Sequence, residues 1–219
     1  RMNWRLFSPL AVVSMIVIAY LNSFAGVFFF DDVHTLRNAI NASWAVRSGD
    51  WAALLSKRPL VDATFTLNHL AGGLKAADYH AVNLALHLAC ALLILGLVRR
   101  TFQIVLKPDE LGPSHEVAAL FSALLWGVHP LGVTAVTYIS QRYEVMMSLF
   151  YTLVLYATAR HALGHGKGWQ VLAVVAAWAG MASKEVAITA PLGVVLYERT
   201  FVLKESFVAQ MRLRWRFYT

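Results

Sequence analysis

Long uncharged apolar runs are the feature of this 219-residue chain that most limits its fold. Pro9 to Phe30 is 22 residues without Asp, Glu, Lys or Arg, and Tyr79 to Val98 is 20. A helix of 22 residues rises about 33 Å, which is enough to cross the hydrocarbon of a bilayer. Only 14% of the residues are charged, against about 25% in soluble domains. The sequence therefore excludes a water-soluble single domain and predicts an all-α, polytopic membrane protein.

Four more apolar segments complete the predicted set of spans. Val117 to Gln141 is uncharged, although His129-Pro130 interrupts it, and the apolar pattern resumes from Val145 to Ala159. The third helix either ends at His129 or runs kinked through Pro130, because membrane helices tolerate proline. Gly168 to Ser183 and Val186 to Leu203 form a last pair. About six spans are expected in a transmembrane bundle.

The distribution of charge indicates which ends of the spans face the cytoplasm. Segments on the side of the N-terminus hold twelve bases and five acids, whereas the other side holds seven of each, so the whole formal charge of +7 lies on one side. Lys and Arg concentrate in cytoplasmic loops. We therefore expect a cytoplasmic N-terminus, and no nucleic-acid partner is needed to explain the charge. Residues 204–219 are expected to be a basic cytoplasmic tail or the start of a missing C-terminal part.

The outer segment 31–78 is expected to contain short amphipathic helices that lie in the membrane interface. Leu36, Ile40 and Trp44 recur at four-residue spacing, and Trp51 starts a second such pattern. Tryptophan on an amphipathic helix is typical of headgroup depth. Residues 1–203, including this outer loop, are expected to form one transmembrane module.

Charged side chains collect at the outer ends of several predicted spans. A charge at bilayer depth costs about 3 kcal/mol on insertion scales, so it tends to be paired, to face a cavity or to be functional. Adjacent carboxylates repel each other, which makes one of the first two acids a candidate general base. Arginine forks suit phosphate, while lysine offers a point charge. Solvated span ends and snorkelling bases are the alternatives. The set is Asp31, Asp32, Arg58, Arg142, Glu144, Lys184 and Glu185.

The second predicted span carries a polar face. His80, Asn83 and His87 are spaced i, i+3 and i+7, so they lie on one side of a helix. Polar residues in membrane helices commonly bond neighbouring helices. We expect that role rather than metal binding, because a zinc site needs further ligands at convergent spacing. His129 is open to either interpretation.

Six short motifs follow one another in an order that resembles a known family. They are Phe30-Asp31-Asp32, Arg58-Pro59-Leu60, Tyr79-His80-Ala81-Val82-Asn83 with Leu86-His87, His129-Pro130-Leu131, Ile139-Ser140-Gln141-Arg142, and Ser183-Lys184-Glu185. Over about residues 24–200 the chain resembles the membrane part of the transmembrane and tetratricopeptide-repeat O-mannosyltransferases and their bacterial relatives. The resemblance implies a GT-C-like fold, which belongs to multi-spanning glycosyltransferases.

The resemblance also implies a reaction and its residues. Such enzymes move a sugar, mannose in the named family, from a polyprenyl-phosphate carrier to a hydroxyl acceptor such as a protein Ser or Thr. By that similarity Asp31 or Asp32 would be the catalytic base. The donor phosphate would be held by Arg142, with Arg58 or Lys184. Supporting residues would be His80, His129, Glu144 and Glu185. No cofactor is certain, and the need for a divalent metal is left open.

Departures from the family leave other functions open. The motif around Arg142 commonly reads Ser-Gly-Arg-Ala, whereas Gln141 and Tyr143 place bulkier groups beside the arginine here. GT-C enzymes are also usually much longer than this chain. The alternative to an enzyme is a non-catalytic structural or accessory subunit of a larger membrane complex, and a transporter or channel is a weaker third hypothesis.

The expected partners and location follow from this resemblance and from the charge distribution. The partners are membrane lipid, a lipid-linked sugar and an acceptor protein, with partner subunits in the structural alternative. The site would face the periplasm or the lumen of the endoplasmic reticulum, and the bacterial inner membrane is favoured.

Overall fold

The structure, a computed structural model, describes residues 3–54 and 56–203, and within these ranges it contains α-helices and short turns of helix but no β-strand. This agrees with the all-α prediction. The predicted tail at 204–219 lies outside the described residues. The helices are α1 (Trp4–Tyr20), α2 (Asp31–Arg47), α3 (Pro59–Gly72), α4 (Ala76–Val105), α5 (Pro113–Gly127), α6 (Val133–Thr137), α7 (Arg142–Ala162), α8 (Gly168–Met181) and α9 (Ala190–Tyr197).

Two helical segments of the described chain are long and apolar enough to cross a membrane. They are Trp4–Ala25, in which α1 continues as a 3₁₀ turn, and α4. A third candidate joins α5 to the helical segment Pro130–Thr137 through a bend of 49°. The remaining predicted spans fall on α7, α8 and α9, which are not among the candidate spans of the described residues; α8 is a shorter apolar helix. The structure thus supports two or three of the six expected spans.

The bend after α5 lies where the sequence left the course of the third span open. Regular α-helix ends at Gly127, two residues before His129, and a 3₁₀ turn begins at Pro130. Because proline has no N–H, it cannot continue the ladder of helical hydrogen bonds, but it is well suited to the first position of a new turn. The uncharged run is therefore broken here.

The first span begins and ends earlier than the apolar run predicts. It starts at Trp4, where the side chain of Asn3 accepts a hydrogen bond from the Arg5 amide at 3.2 Å, and Pro9 lies inside the helix. After the turn at Leu21–Ala25, Gly26 is extended, so the helix ends before Asp31. α2 then begins at the two acids, whose charge is favourable at a helix N-terminus.

The helix α4 is central to the bundle. Its residues Leu84, Ala91 and Leu95 pack with α1 and α5 in one apolar core. A second core, which includes Val61 of α3 and Ile139, joins α2, α3, α4 and α7. A third joins α7, α8 and α9.

On α2, the buried face is made by Leu36, Ala39 and Ser43, whereas Trp44 is 67% exposed. The buried face of α2 therefore differs from the predicted apolar face: Leu36 lies against the bundle, but Trp44 points away from it. Trp51, in the following 3₁₀ turn, is equally exposed.

Charged groups lie at both ends of the bundle. At one end, which we call the Arg99 end, the Arg99 side chain donates to Glu116 and to the carbonyl oxygen of Trp4. This contact joins the C-terminal part of α4 to the starts of α1 and α5. At the other end, which we call the Asp32 end, lie the starts of α2, α3 and α7 and the turn between α8 and α9, as the contacts below establish.

Candidate functional site

Asp32 joins two turns at the Asp32 end. Its side chain is buried, and one carboxylate oxygen accepts a hydrogen bond from the Phe29 amide at 3.0 Å. The other oxygen accepts from the Ser140 amide at 2.7 Å. Hydrogen bonds to an ionised acceptor are short and strong. Both oxygens of this carboxylate are thus used to hold the chain before α2 against the chain before α7.

Asp31 is placed differently from its neighbour. Its side chain is exposed, and its backbone N–H donates to the Tyr138 hydroxyl at 3.1 Å. The preceding residue, Phe30, has a φ of +48°, a left-handed conformation that is uncommon for residues with a Cβ. Asp31 and Asp32 are consecutive in the first turn of α2, where neighbouring side chains point in different directions, and the carboxylate that reaches the surface belongs to Asp31.

Arg142 is fully buried at the first residue of α7. Its Nε donates to the Asn83 side chain at 2.7 Å, and its two terminal nitrogens donate to the Thr64 hydroxyl and to the Tyr79 carbonyl oxygen. The guanidinium also lies 4.2 Å from the centroid of the Phe65 ring, an arrangement favourable for a cation. The guanidinium is thus enclosed by α3 and α4, and the expectation that Arg142 contacts a donor phosphate stays a prediction.

The polar face of α4 bonds neighbouring segments. A ring nitrogen of His80 is 3.2 Å from the Val136 carbonyl oxygen, and one of His87 is 2.8 Å from that of Gly127. The Asn83 side chain donates to the Ile139 carbonyl oxygen at 3.1 Å while it accepts from Arg142. The prediction that these residues bond adjacent helices is confirmed by these contacts. These side chains provide hydrogen-bond partners for backbone carbonyl oxygens at the ends of α5 and α6 and in the turn that follows.

Two ion pairs close the Asp32 end. Arg58, just before α3, donates to both carboxylate oxygens of Glu185, at 3.1 and 3.0 Å. The adjacent Lys184 pairs with Glu144 on the first turn of α7. The pKa of Glu185 is lowered because its own backbone amide and then Arg58 donate hydrogen bonds to the carboxylate. Arg58 and Lys184 are partly exposed, with 33% and 24% of their side-chain surface accessible, whereas Arg142 is fully buried.

A hydroxyl network around Asp62 was not predicted from the sequence. The Tyr143 hydroxyl donates to one oxygen of Asp62, and the Ser56 hydroxyl donates to the other at 2.5 Å. Arg58 lies over the ring of Tyr143, 5.1 Å from its centroid. A cavity of about 110 Å³ opens beside this network, lined by Thr35, Asn38, Ser56, Asp62, Phe65 and Thr66 among others. The signal in the sequence was weak, because Asp62 and Tyr143 are 81 positions apart.

His129 has a local contact in the structure. Its ring accepts a hydrogen bond from the Leu131 amide at 3.2 Å and so caps the turn that begins at Pro130. Among the residues the structure describes, no group of three His, Cys, Asp or Glu side chains is arranged to hold a metal ion.

The structure thus brings most of the predicted residues to one end of the bundle. Asp31 and Asp32, the two ion pairs and Arg142 are linked there through Ser140, Tyr143 and the start of α7. His80 lies deeper, in the core. The fold and this arrangement define an all-helical membrane protein with a polar, charged site at one end.

Comparison with known proteins identifies the family. The chain is 32% identical over 188 residues to protein O-mannosyl-transferase Tmtc1 of Drosophila melanogaster, a match that covers 80% of this chain and 21% of that protein. It is 30% identical over 188 residues to TMTC2 of Mus musculus, covering 78% and 21%, and 29% identical over 164 residues to TMTC4 of Homo sapiens, covering 67% and 22%. Over the aligned residues, the chain belongs to the TMTC O-mannosyltransferase family.

These matches have a limited extent. The chain spans about a fifth of the length of the curated relatives it matches. No protein-family model matches it, and no solved structure does.

Proposed function

We propose that this chain is the membrane part of a glycosyltransferase that moves a sugar, mannose by the names of its relatives, from a polyprenyl-phosphate carrier to a protein hydroxyl. One observation carries the proposal: an exposed carboxylate, Asp31, shares an end of the bundle with two partly exposed cations, Arg58 and Lys184. A general base and phosphate-binding cations are what such a transfer requires.

The two acids have separate roles in this proposal. Asp31 accepts the proton of the acceptor hydroxyl, whose oxygen forms a bond to the anomeric carbon. The bond from that carbon to the phosphate oxygen breaks, and the electron pair leaves with the phosphate, so the configuration inverts. Asp32 positions Asp31, because its carboxylate accepts hydrogen bonds from the Phe29 and Ser140 amides and so fixes the backbone beside Asp31.

Arg58 and Lys184 hold the donor phosphate in this proposal. Each is paired with a glutamate, and the phosphodiester of the donor, which carries one negative charge, competes with Glu185 and Glu144 for the same donors. The polyprenyl phosphate that leaves gains a second charge, so the two cations hold it more strongly than they hold the donor. Arg142 takes a positioning role: it fixes the start of α7, on which Glu144 lies.

The topology completes the proposal. We place six spans in a GT-C-like arrangement, with the Arg99 end in the cytoplasm and the Asp32 end facing the periplasm of a bacterial inner membrane. The excess of bases on the segments that meet at the Arg99 end supports this orientation.

A transfer assay tests the proposal. The purified chain is given a synthetic polyprenyl-phosphate mannose and a Ser/Thr-containing peptide, and the mannosylated peptide is measured. We expect Asp31→Asn to lower the rate by about 10²-fold or more, in the range of a lost general base. Asp50→Asn, at an exposed acid beyond α2, is the matched control and should retain the rate. Equal rates in the wild type and Asp31→Asn would contradict the assignment.

A non-catalytic subunit is the second candidate function, and one observation favours it. Asp32, Arg142, Arg58 and Lys184 are all satisfied by groups within the chain. Purification from the native membrane distinguishes the two. A stoichiometric complex, together with no sugar transfer by the isolated chain, would support the subunit.

A further inference from the structure

A cavity with charged groups on a largely apolar lining lies at the Arg99 end, remote from the proposed reaction. Its volume is about 380 Å³, and it lies between the start of α1, the last turns of α4 and the start of α5. Its polar walls include Arg5, Arg99, Gln103, His115 and Glu116, and Trp4 and Phe102 provide aromatic surface.

The residues that line the cavity carry a net positive charge, from Arg5 and Arg99 against Glu116. Arg99 is held in place by Glu116, at 2.7 Å, and by the Trp4 carbonyl oxygen, at 3.0 Å. Arg5 is exposed and adds a second cation, so the one acid does not cancel the charge. The Nδ1 of His115 accepts from the Gly112 amide at 3.1 Å, which leaves its Nε2 to carry a proton and donate. An anion with several acceptor oxygens fits these groups.

Apolar faces of the same helices are exposed beside the cavity. On α1, Leu6 and Leu10 are each 65% exposed. On α5, Val117, Phe121 and Leu125 are also exposed and recur every four residues, so they form one stripe. Since these helices are candidate membrane spans, the stripes face hydrocarbon. The surroundings thus favour a ligand with both an anionic head and apolar tails.

We propose that this cavity binds the phosphate headgroup of an anionic phospholipid, whose acyl chains lie along the exposed faces of α1 and α5. Basic pockets between transmembrane helices are known to take such headgroups. The lipid joins α1 to α5 at the Arg99 end. This inference does not depend on the glycosyltransferase proposal, because no residue of the Asp32 end takes part.

Native mass spectrometry of the detergent-purified chain tests the lipid site. Phosphatidylglycerol and phosphatidylcholine with the same acyl chains are titrated separately, and we expect phosphatidylglycerol to bind more tightly. Arg5→Gln should weaken phosphatidylglycerol binding about fivefold, the effect of one basic residue on anionic lipid. Arg47→Gln, which removes the same charge from an exposed position on α2, should leave it unchanged.

Three outcomes would overturn the proposal. They are equal affinities for the two lipids, equal losses in Arg5→Gln and Arg47→Gln, and displacement of phosphatidylglycerol by an equal concentration of glycerol 3-phosphate. The last would assign the cavity to a soluble phosphate compound instead of a lipid.

Discussion

Arg142 is the residue whose environment differs most from the expectation. Its side chain lies at the boundary of an apolar run, where the sequence allows either a phosphate contact or an internal one. The structure encloses it, because Thr64, Asn83 and the Tyr79 carbonyl oxygen supply acceptors from α3 and α4. Which acceptors converge on an arginine depends on how distant helices pack, and the spacing of residues in one segment does not contain that information.

Replacement of this arginine should therefore affect stability before activity. In Arg142→Lys the single ammonium cannot match the planar fork of donors, so at least one acceptor is left without its bond. Each lost hydrogen bond to a charged group costs about 1.5–3 kcal/mol. We expect a lower midpoint of thermal unfolding in detergent. Arg37→Lys, at an exposed position of α2, is the control, and an equal midpoint in both variants would contradict the structural role.

Replacement of Asp32 should lower the stability of the fold, whereas replacement of Asp31 should not. Asp32→Asn replaces an acceptor oxygen with an NH₂ group that faces a backbone N–H, so we expect destabilisation of about 1–3 kcal/mol. Asp31→Asn, at an exposed side chain, should unfold within about 0.5 kcal/mol of the wild type. Chemical denaturation monitored by tryptophan fluorescence measures both. Equal stabilities for the two variants would show that Asp32 is not the anchor described here.

The sequence predicts the presence of the helices and their polar faces better than it predicts the residues at which they begin and end. The polar face of α4 follows from the 3.6-residue period alone, and each of its three residues bonds a neighbouring segment. The ends depend on contacts that the period does not encode. The break after Gly127 is one example, since its carbonyl oxygen accepts from His87 on another helix.

Close packing of α5 on α1 makes a test at Gly127 possible. A Cβ at this glycine would lie 2.4 Å from the Cδ1 and 2.9 Å from the Cγ1 of Ile16, a fully buried side chain that would have to shift. Overpacking of this kind costs about 1–3 kcal/mol. We expect Gly127→Ala to lower the free energy of unfolding by that amount.

Gly168, at the start of α8, is the matched control for this variant. A Cβ there would meet no atom within 4 Å. Gly168→Ala should therefore be neutral or slightly stabilising. If both variants behaved alike, α1 and α5 would not pack as closely as the structure indicates.

For the whole molecule, the charge distribution along the sequence anticipates that acids and bases from distant segments gather at one end. The structure places Asp32 beside Ser140 and Arg58 beside Glu185. The hydroxyl network around Asp62 was missed, because a lone acid in a polar loop has no distinguishing pattern before Tyr143 is brought next to it. The family was predicted from ordered motifs and is confirmed by its relatives.

The proposed orientation of the bundle is testable by labelling. Both Lys57 and Lys107 are exposed; Lys57 lies toward the Asp32 end and Lys107 toward the Arg99 end. The native Cys90 is buried, so it should not compete for the label. In spheroplasts, a membrane-impermeant maleimide should label Lys57→Cys, whereas Lys107→Cys should react only after the membrane is permeabilised. If only Lys107→Cys were labelled in intact spheroplasts, the proposed orientation would be wrong and the opposite one would hold.

The double anchoring by Asp32 has a consequence for motion. Phe29 and Ser140 are held by one carboxylate, so a displacement of α7 along its axis must also carry the backbone on which Asp31 lies. The same helix is joined through Glu144 to Lys184. Under the proposed function, a donor phosphate that took Lys184 from Glu144 would release the first turn of α7, and the two Asp32 hydrogen bonds would couple its movement to the backbone of Asp31.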